Sequence, residues 1–575
     1  MNLPGARHWR ALPADHRLFL WMMAALIPAR IAHTWNIRWP LIDGGYYLDV
    51  AKHVRDGQGL ASNLSLYHFG YESFPQPTSV YPLWPWMLGM LAKVIPLEPL
   101  SHWLPLGWSF VAVAAAYAFG RRLWPEQPFP VHVPGMHLGH LFALALATHT
   151  EFVVYTSVPY TEGLAWALWF GFCWRVAARG ADLSLGWAVE TAAWLSALYF
   201  ARYQFVVVPL AVAAVAGARL ALGPDRWAVA RYAGTALGLT AAAMGAWYLH
   251  LATFVHDPGL GSLLRFDQNR ATDVLAPITV MAETRGLLGW LVDRATGISV
   301  AWDPVATTSY WPAFHAWQWA LAFALPFLAI DVVRWVRARG LSGAVAALRA
   351  PEAQRWLLVG VLAFAALLSV HVIHKQYNGS WYFAKRQGLP SLMAFVLSAG
   401  WLLHAAHHHL ARVLGVIVVS GSLVLGVHTV WGEVAKDTGE LRGPDRHGAL
   451  VAWLQSHARG GSVVVDANLA QRIGWRTEEV GYHWIEGRTT YRDLLALTDT
   501  LGARYAVFRP QALTGFDVFL APELRQDFRK VRGSPSGAVI LERCPPMACL
   551  DPTQYEPLSI PKRSAKDADE DEEDP

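Results

Sequence analysis

The sequence Leu18-Phe-Leu-Trp-Met-Met-Ala-Ala-Leu-Ile-Pro-Ala-Arg-Ile-Ala-His-Thr34 is followed shortly by Ile42-Asp43-Gly-Gly-Tyr-Tyr-Leu-Asp49, and this succession decides the fold class. A helix that crosses a membrane needs about 20 mostly apolar residues, because the bilayer core holds no water for unpaired backbone groups. The first stretch fits that requirement, whereas the second contains two aspartates. The chain therefore enters a membrane near its N-terminus and emerges into an aqueous loop.

Apolar stretches of the same kind recur along the 575 residues. Hydrophobic residues make up 54% of the chain and charged residues 16%, against roughly 25% charged in soluble domains. The pattern predicts a polytopic α-helical bundle of about 11 transmembrane helices, with an apolar, proline-rich helix at Tyr81–Pro96 lying in the interface. The predicted spans are Leu18–Thr34, Leu104–Gly120, Met136–Val158, Gly163–Ala178, Leu183–Ala201 (which contains Glu190), Tyr203–Ala218, Tyr232–Phe254, Ala313–Ile330, Trp356–Ile373, Gly388–His404 and Val413–Trp431.

Arginine clusters orient this bundle. They precede the first predicted span and follow the second, fourth, sixth and eighth, so they share one side if the spans alternate. The positive-inside rule makes that side cytoplasmic. We therefore expect a multi-pass protein of a bacterial inner (plasma) membrane, with residues 1–17 as a cytosolic lead and residues 18–432 as the membrane module. Residues 35–103, residues 255–312 and everything after about residue 432 then lie on the periplasmic or extracellular side.

The segment 433–562 does not resemble a membrane sequence. Short β-type runs begin at Ser462, Tyr505 and Ala538, and helical stretches alternate with them. This pattern predicts a small external α/β domain. Cys544 and Cys549 fall at its end, where either a disulfide or two free thiols is consistent with the sequence. Residues 563–575 are acidic and poor in apolar residues, which predicts a disordered tail.

Asp43 is the first ionisable residue of interest, because it stands at the external end of the first span. A carboxylate there can accept hydrogen bonds from the free N–H groups of the helix that follows. The same position holds a carboxylate at headgroup level, where it can deprotonate a hydroxyl. Capping and catalysis are both open on the sequence alone, and they are compatible.

Five short motifs follow one another along the chain and together cover most of residues 18–430. They are Asp43-Gly-Gly-Tyr-Tyr-Leu-Asp-Val-Ala-Lys, Pro75-Gln-Pro-Thr-Ser-Val-Tyr-Pro82, Thr161-Glu162, Ala201-Arg202-Tyr203 and Phe383-Ala-Lys385-Arg386-Gln-Gly-Leu-Pro390. In this order they resemble the motifs of the GT-C glycosyltransferase superfamily, most closely those of the family-39-like protein O-mannosyltransferases and the lipid A aminoarabinose transferases. Two departures, Gly44 where many members have an acidic residue and the lack of a Pro-Pro pair, bear on the acceptor class.

The resemblance implies an inverting glycosyltransferase that takes a sugar from a polyprenyl-phosphate carrier and gives it to a lipid, glycan or protein acceptor. Asp43 would act as the base, and Glu162 would orient the acceptor or hold a divalent cation (Mg or Mn) together with Asp43. No other cofactor is expected. Basic residues at external span ends would bind the carrier phosphate, although snorkelling to lipid headgroups explains each one alone. The expected substrate-binding residues are Tyr46, Tyr47, Arg202, His374, Lys375, Lys385 and Arg386.

A membrane transporter or flippase of a lipid-linked substrate is the alternative. That class would place charges and broken helices at membrane depth, whereas most predicted spans lack charges and the polar residues gather at one face. Interfacial chemistry is therefore favoured over passage. Membrane lipids are the other expected partners. The sequence has no P-loop, no dinucleotide motif and no basic patch for nucleic acid.

Overall fold

The structure is a computed structural model that describes residues 13–36, 42–65, 74–78, 80–124, 136–222, 225–252, 312–376, 391–404, 406, 408–435, 447–485, 490–509, 519, 523–531, 538–544 and 555–556. Within these ranges a helical bundle is joined to a small α/β domain. The predicted large loop at 255–312 and the acidic tail lie almost entirely outside the described residues.

The helical part begins with one long helix and continues through the first loop into the bundle. α1 ends just before a short gap, α2 carries the motif around Asp43, and the short helix α3 lies within Tyr81–Pro96. The helices are α1 (Ala14–Asn36), α2 (Ile42–Arg55), α3 (Leu83–Leu91), α4 (Leu97–Leu123), α5 (Leu138–Ala147), α6 (Thr150–Tyr155), α7 (Glu162–Arg179), α8 (Leu185–Ala201), α9 (Val207–Leu222), α10 (Arg226–Ala252), α11 (Pro312–Ala347), α12 (Pro351–Gln376), α13 (Leu392–His404) and α14 (His409–Ala435).

Every predicted span contains helix, but the helices vary in length and one predicted span is divided into two helices. The predicted segment Met136–Val158 is divided into α5 and α6, with a turn at Thr148 and His149. The protein is a multi-pass membrane protein, and the count of about 11 spans stays a prediction. Among the described residues, the helices long and apolar enough to cross a membrane are Ala14–Trp35, Leu97–Leu123, Tyr203–Ala221, Trp319–Ala347 and His409–Val430.

The C-terminal part is an α/β domain built on one mixed sheet. Its elements are α15 (Gly448–His457), β4 (Ser462–Asp466), α16 (Ala467–Ile473), β5 (Gly481–Ile485), α17 (Tyr491–Leu501), β6 (Tyr505–Phe508), α18 (Leu524–Asp527), β7 (Phe528–Val531), β8 (Val539–Arg543) and β9 (Tyr555–Glu556). The predicted strands β4, β6 and β8 are present. Cys544 is disulfide-bonded, and its predicted partner Cys549 lies outside the described residues.

A strand from the first loop completes this sheet. That loop contains β1 (Ala61–Ser62), β2 (Leu64–Ser65) and β3 (Gln76–Pro77), and the sheet order is β2-β5-β4-β6-β8-β7-β9. β2 runs parallel to β5, with Leu64 opposite Tyr482, and the Tyr482 N–H donates to the Asn63 carbonyl at 2.7 Å. The first loop and the α/β domain therefore lie on one side of the bundle, which we call the domain side.

α2 is also packed directly against the domain. A Cβ added to Gly45 would lie 1.6 Å from the Gln471 carbonyl oxygen, so any larger residue at this position would force the two backbones apart. The Lys52 Nζ donates to the Thr477 carbonyl at 2.6 Å. The helix that carries Asp43 is thus fixed between the bundle and the α/β domain.

Candidate active site

Three motif regions meet on the domain side of the bundle. α2 carries Asp43, α7 begins with Glu162, and Arg202 directly follows α8. The Tyr47 ring contacts the Tyr160 ring edge-on, with centroids 6.4 Å apart. Tyr47 lies one helical turn after Asp43, and Tyr160 lies two residues before Glu162. The fold therefore brings together motifs that are more than 100 residues apart in sequence.

Glu162 and Arg202 form a buried ion pair. The Arg202 Nη1 donates to the Glu162 Oε1 at 2.5 Å, and the two side chains are 2% and 0% exposed. Glu162 stands in the first turn of α7, where the positive end of the helix dipole favours a carboxylate. Arg202 has an extended backbone where α8 ends, which turns the chain away from the helix axis. Burial of two charged groups costs free energy, and the attraction between them offsets this cost only when the two groups are close and well oriented.

Aromatic rings enclose the guanidinium. The Arg202 Cζ lies 5.7 Å from the Tyr81 ring centroid, close enough for a cation–π interaction. The Tyr81 ring meets the Tyr203 ring at 4.7 Å. The Tyr203 hydroxyl accepts a hydrogen bond from the Trp247 Nε1 at 2.9 Å. These rings exclude water from the pair and hold it in one orientation, which strengthens electrostatic interactions within the site.

The two aspartates of the first motif have different surroundings. Asp43 lies in the first turn of α2 and is partly exposed. Asp49 is fully buried and accepts hydrogen bonds from the Ser62 Oγ at 2.8 Å and the Asn63 N–H at 2.7 Å. The Lys52 Nζ lies 3.6 Å from the same carboxylate. Asp49 therefore fixes the turn that leads into β2, whereas Asp43 is the more exposed of the two carboxylates, and its contact with substrate stays a prediction.

Tyr46 and Tyr47 are buried on α2 and connect it to the loop and to α7. The Tyr46 hydroxyl hydrogen-bonds the Thr78 Oγ1 in the proline-rich motif. Both rings thus adjoin the candidate site and help to position Asp43. Their contact with substrate stays a prediction.

No protein-family model and no curated protein matches this chain. Among solved structures, it is similar to the apo oligosaccharyltransferase of Archaeoglobus fulgidus, with a TM-score of 0.53 and 11% identity over 89% of this chain and 73% of that one. The same archaeal enzyme, AglB, in complex with an inhibitory peptide and a dolichol-phosphate gives a TM-score of 0.50 at 9% identity, over 89% and 72% of the chains. This is the GT-C fold. The fold expected from the motifs is thereby confirmed.

ArnT from Cupriavidus metallidurans in its apo state is also similar, with a TM-score of 0.45 and 16% identity over 95% of this chain and 100% of that one.

The described part of the chain does not place the remaining predicted site residues at the candidate site. His374 and Lys375 fall in the last turn of α12, but their side chains are not described. Lys385 and Arg386 lie outside the described residues. Their role in phosphate binding stays a prediction.

The predicted cation site rests on Asp43 and Glu162. The described ranges contain no group of three or more His, Cys, Asp or Glu side chains around one point. A divalent cation held by one or two carboxylates also needs oxygens from water or substrate phosphate, and at Glu162 it would compete with the adjacent guanidinium. Binding of Mg²⁺ or Mn²⁺ stays a prediction that requires a bound phosphate.

One buried cation of the GT-C bundle was missed by the sequence reasoning. Arg30 lies inside the first predicted span, is 6% exposed, and donates from Nη2 to the Ser109 Oγ at 3.3 Å and to the Thr156 Oγ1. A charge within an apolar span is itself a signal of function in membrane proteins. That signal was present in the sequence and was passed over.

Proposed function

We propose that the protein is an inverting glycosyltransferase that moves a sugar from a polyprenyl-phosphate carrier to a lipid, glycan or protein acceptor on the domain side of the membrane. The observation that carries this proposal is the buried Glu162–Arg202 pair next to the helix of Asp43, at one rim of a GT-C fold. The archaeal oligosaccharyltransferase with this fold was solved with a dolichol-phosphate and a peptide bound. That complex supports a lipid-phosphate donor.

The chemistry requires one displacement. The acceptor hydroxyl oxygen attacks the anomeric carbon, while the bond from that carbon to the phosphate oxygen breaks and its electron pair leaves with the phosphate. Asp43 takes the hydroxyl proton as general base, which suits a partly exposed carboxylate at headgroup level. A single displacement inverts the anomeric configuration. Glu162 does not need to take a proton, and its ion pair fixes the arginine beside the reacting groups.

Arg202 stabilises the leaving phosphate in this proposal. A guanidinium offers five N–H donors in a rigid fork, and its Nη1 is directed at Glu162. A phosphate that joins the other edge of the fork would share the cation with the carboxylate. Negative charge that develops on the phosphate as the bond breaks would then meet a fixed positive charge in a site screened from water.

The membrane orientation follows from the arginines. Arg121, Arg175 and Arg179 lie at the ends of α4 and α7 that are remote from the first loop. The positive-inside rule therefore makes the domain side external and the N-terminus cytoplasmic. We propose the bacterial inner membrane as the location.

A transporter or flippase of a lipid-linked substrate is the second candidate, and two observations favour it. Arg30 is a charge within a membrane helix, and a turn interrupts the segment between α5 and α6. Both features are common in transport proteins. A transporter would move the lipid-linked sugar without breaking the bond to phosphate.

The test is to incubate the purified protein in nanodiscs with a panel of polyprenyl-phosphate sugars and candidate acceptors, and to analyse the lipid products. We expect release of unglycosylated polyprenyl phosphate with at least one donor. Free polyprenol sugars without phosphate serve as the matched control. The same donors are also tested in proteoliposomes. If the protein moves the intact donor lipid across that membrane, and releases no polyprenyl phosphate in nanodiscs or in proteoliposomes, the transferase is contradicted and the transporter is supported.

A further inference from the structure

Arg30 is a buried cation whose surroundings lack a matching negative charge. Its guanidinium contacts the hydroxyls of Ser109 and Thr156 and lies 5.6 Å from the Phe152 ring centroid. No carboxylate pairs with it among the residues that the structure describes. Its buried Nη1 also has no hydrogen-bond partner within the described ranges.

The two other arginines that are buried among the described residues of the bundle face a carboxylate or the C-terminal end of a helix. Arg202 has the carboxylate of Glu162. Arg219 donates from Nη2 to the Gly180 carbonyl at 2.6 Å, at the end of α7 where the helix dipole is negative. Arg30 has hydroxyl groups in place of either. A cation in a membrane span is costly unless it meets an anion, and an anion from outside the protein would meet this need where the described residues supply none.

The position of Arg30 connects it to the candidate active site. Thr156, which accepts from its guanidinium, also lies beside α7: a Cβ added to Gly163 would be 3.6 Å from the Thr156 Cγ2. Gly163 directly follows Glu162. Thr156 therefore lies between Arg30 and the first turn of α7, the turn that carries Glu162.

The position of α1 gives a lipid access to this point. Only 22% of the span Ala14–Trp35 is buried inside the protein. Ile31 and Trp35 are 40% and 72% exposed, so they face the membrane while Arg30 faces Ser109 on α4. An anion attached to a lipid can follow this exposed surface to Arg30, whereas a free ion would have to leave water and cross hydrocarbon.

We propose that Arg30, with the hydroxyls of Ser109 and Thr156, binds the phosphate group of a lipid carrier. The inference rests on the proposed function and adds a phosphate site inside α1. A guanidinium fork flanked by hydroxyl groups matches the several oxygens of a phosphate better than a single-atom anion. This site would hold the headgroup as the carrier enters or leaves the active site.

The sharpest test supplies the missing charge from within the protein. Ser109→Asp would place a carboxylate next to Arg30, because the Ser109 Oγ is 3.3 Å from the guanidinium. An internal partner would compete with the phosphate, so we expect undecaprenyl phosphate to bind about 10-fold or more weakly, as for other charged hydrogen bonds. Arg30→Lys, which keeps the charge but loses the fork, should weaken binding to a smaller extent.

The measurement is binding to the full-length protein in nanodiscs, with undecaprenyl phosphate, undecaprenol and inorganic phosphate as separate probes. Arg219→Gln is the matched control and should bind undecaprenyl phosphate like the parent. We expect the parent to bind undecaprenyl phosphate tightly, and to bind undecaprenol and inorganic phosphate much more weakly. Equal binding of inorganic phosphate would overturn the assignment to a lipid.

The outcomes also separate this inference from the proposed function. If the parent binds undecaprenyl phosphate and both variants bind it equally well, Arg30 is a structural residue and the proposed function stands. If the parent does not bind undecaprenyl phosphate, the Arg30 site is wrong, and the transfer assay with the donor panel decides the proposed function separately. Thermal unfolding of each variant confirms that it is folded, and Ser109→Asp should be at least as stable as Arg30→Lys because it neutralises the buried charge.

Discussion

Ion pairs at the two ends of the helical bundle differ in their exposure to solvent. On the domain side, the pairs Glu162–Arg202 and Asp49–Lys52 are buried, with exposed fractions of at most 9%. At the opposite end, the pairs Arg175–Glu190 and Arg179–Asp182 keep between 26% and 36% of each side chain exposed. These two domain-side pairs are thus removed from water, and these two pairs at the opposite end remain partly in contact with it.

The difference indicates what each set does. Exposed ion pairs contribute little to stability, and at a membrane surface arginines mainly set orientation. A buried pair is costly to form, and hydrophobic residues of similar size would often stabilise the fold equally well. Its presence beside the helix that carries Asp43 therefore favours a functional reason. The comparison is tested by removing charges at both ends.

Glu162→Gln should have the largest effect on stability. It leaves the Arg202 cation buried without its carboxylate, which destabilises proteins by about 3–5 kcal/mol. Thermal unfolding in detergent would measure the loss. Combining Glu162→Gln with Arg202→Met should restore part of it, since both charges are then absent. Parent-like stability for Glu162→Gln alone would mean that the pair does not hold this rim together.

Arg202→Lys should have a smaller effect, directed at the donor. Lysine retains the charge opposite Glu162 but offers a compact ammonium in place of a planar fork. We expect donor-lipid affinity to fall by roughly 1–3 kcal/mol, with little change for the acceptor. Binding of polyprenyl-phosphate sugar and of free polyprenol would be compared in nanodiscs. A loss of equal size for both lipids would show that the phosphate is held elsewhere.

Glu190→Gln should have the smallest effect. Glu190 pairs with Arg175 at 2.5 Å and with Arg179 at 3.2 Å, but all three side chains are partly exposed. We expect a change in stability of about 0.2–1 kcal/mol and unchanged sugar transfer. A double-mutant cycle with Arg175→Gln isolates the pair. A coupling energy as large as that of Glu162 and Arg202 would remove the contrast between the two ends.

The sequence predicted the parts of the site that depend on local pattern. The run after Asp43 and the acidic start of α7 are short motifs, and the structure brings both of them and Arg202 to the domain side of the bundle, where their role in a site stays a prediction. The helical segments and the strands β4, β6 and β8 also follow from periodicity. Resemblance in motif order supplied the GT-C fold, which composition and periodicity alone do not specify.

Long-range pairing could not be predicted in the same way. β2 has two residues, and its partner β5 is more than 400 residues later in the chain, so no local pattern marks it. Gly45 and Gln471 are also more than 400 residues apart, so no local pattern marks their close approach either. The structural role of Asp49 is likewise visible only in its hydrogen bonds from Ser62 and Asn63, which lie 13 and 14 residues later. The charge of Arg30 within its apolar span was visible in the sequence, but its partners Ser109 and Thr156 are visible only in the structure.

The measurement that tests the central claim most directly is sugar transfer by Asp43→Asn in nanodiscs with a polyprenyl-phosphate sugar that the parent uses. Asparagine keeps the size and much of the capping ability of aspartate but cannot accept the proton. We predict that turnover falls by roughly 10²-fold or more, while donor binding and thermal unfolding stay close to those of the parent. If Asp43→Asn retains more than about half of the parent's turnover, Asp43 is a capping residue and the base lies elsewhere.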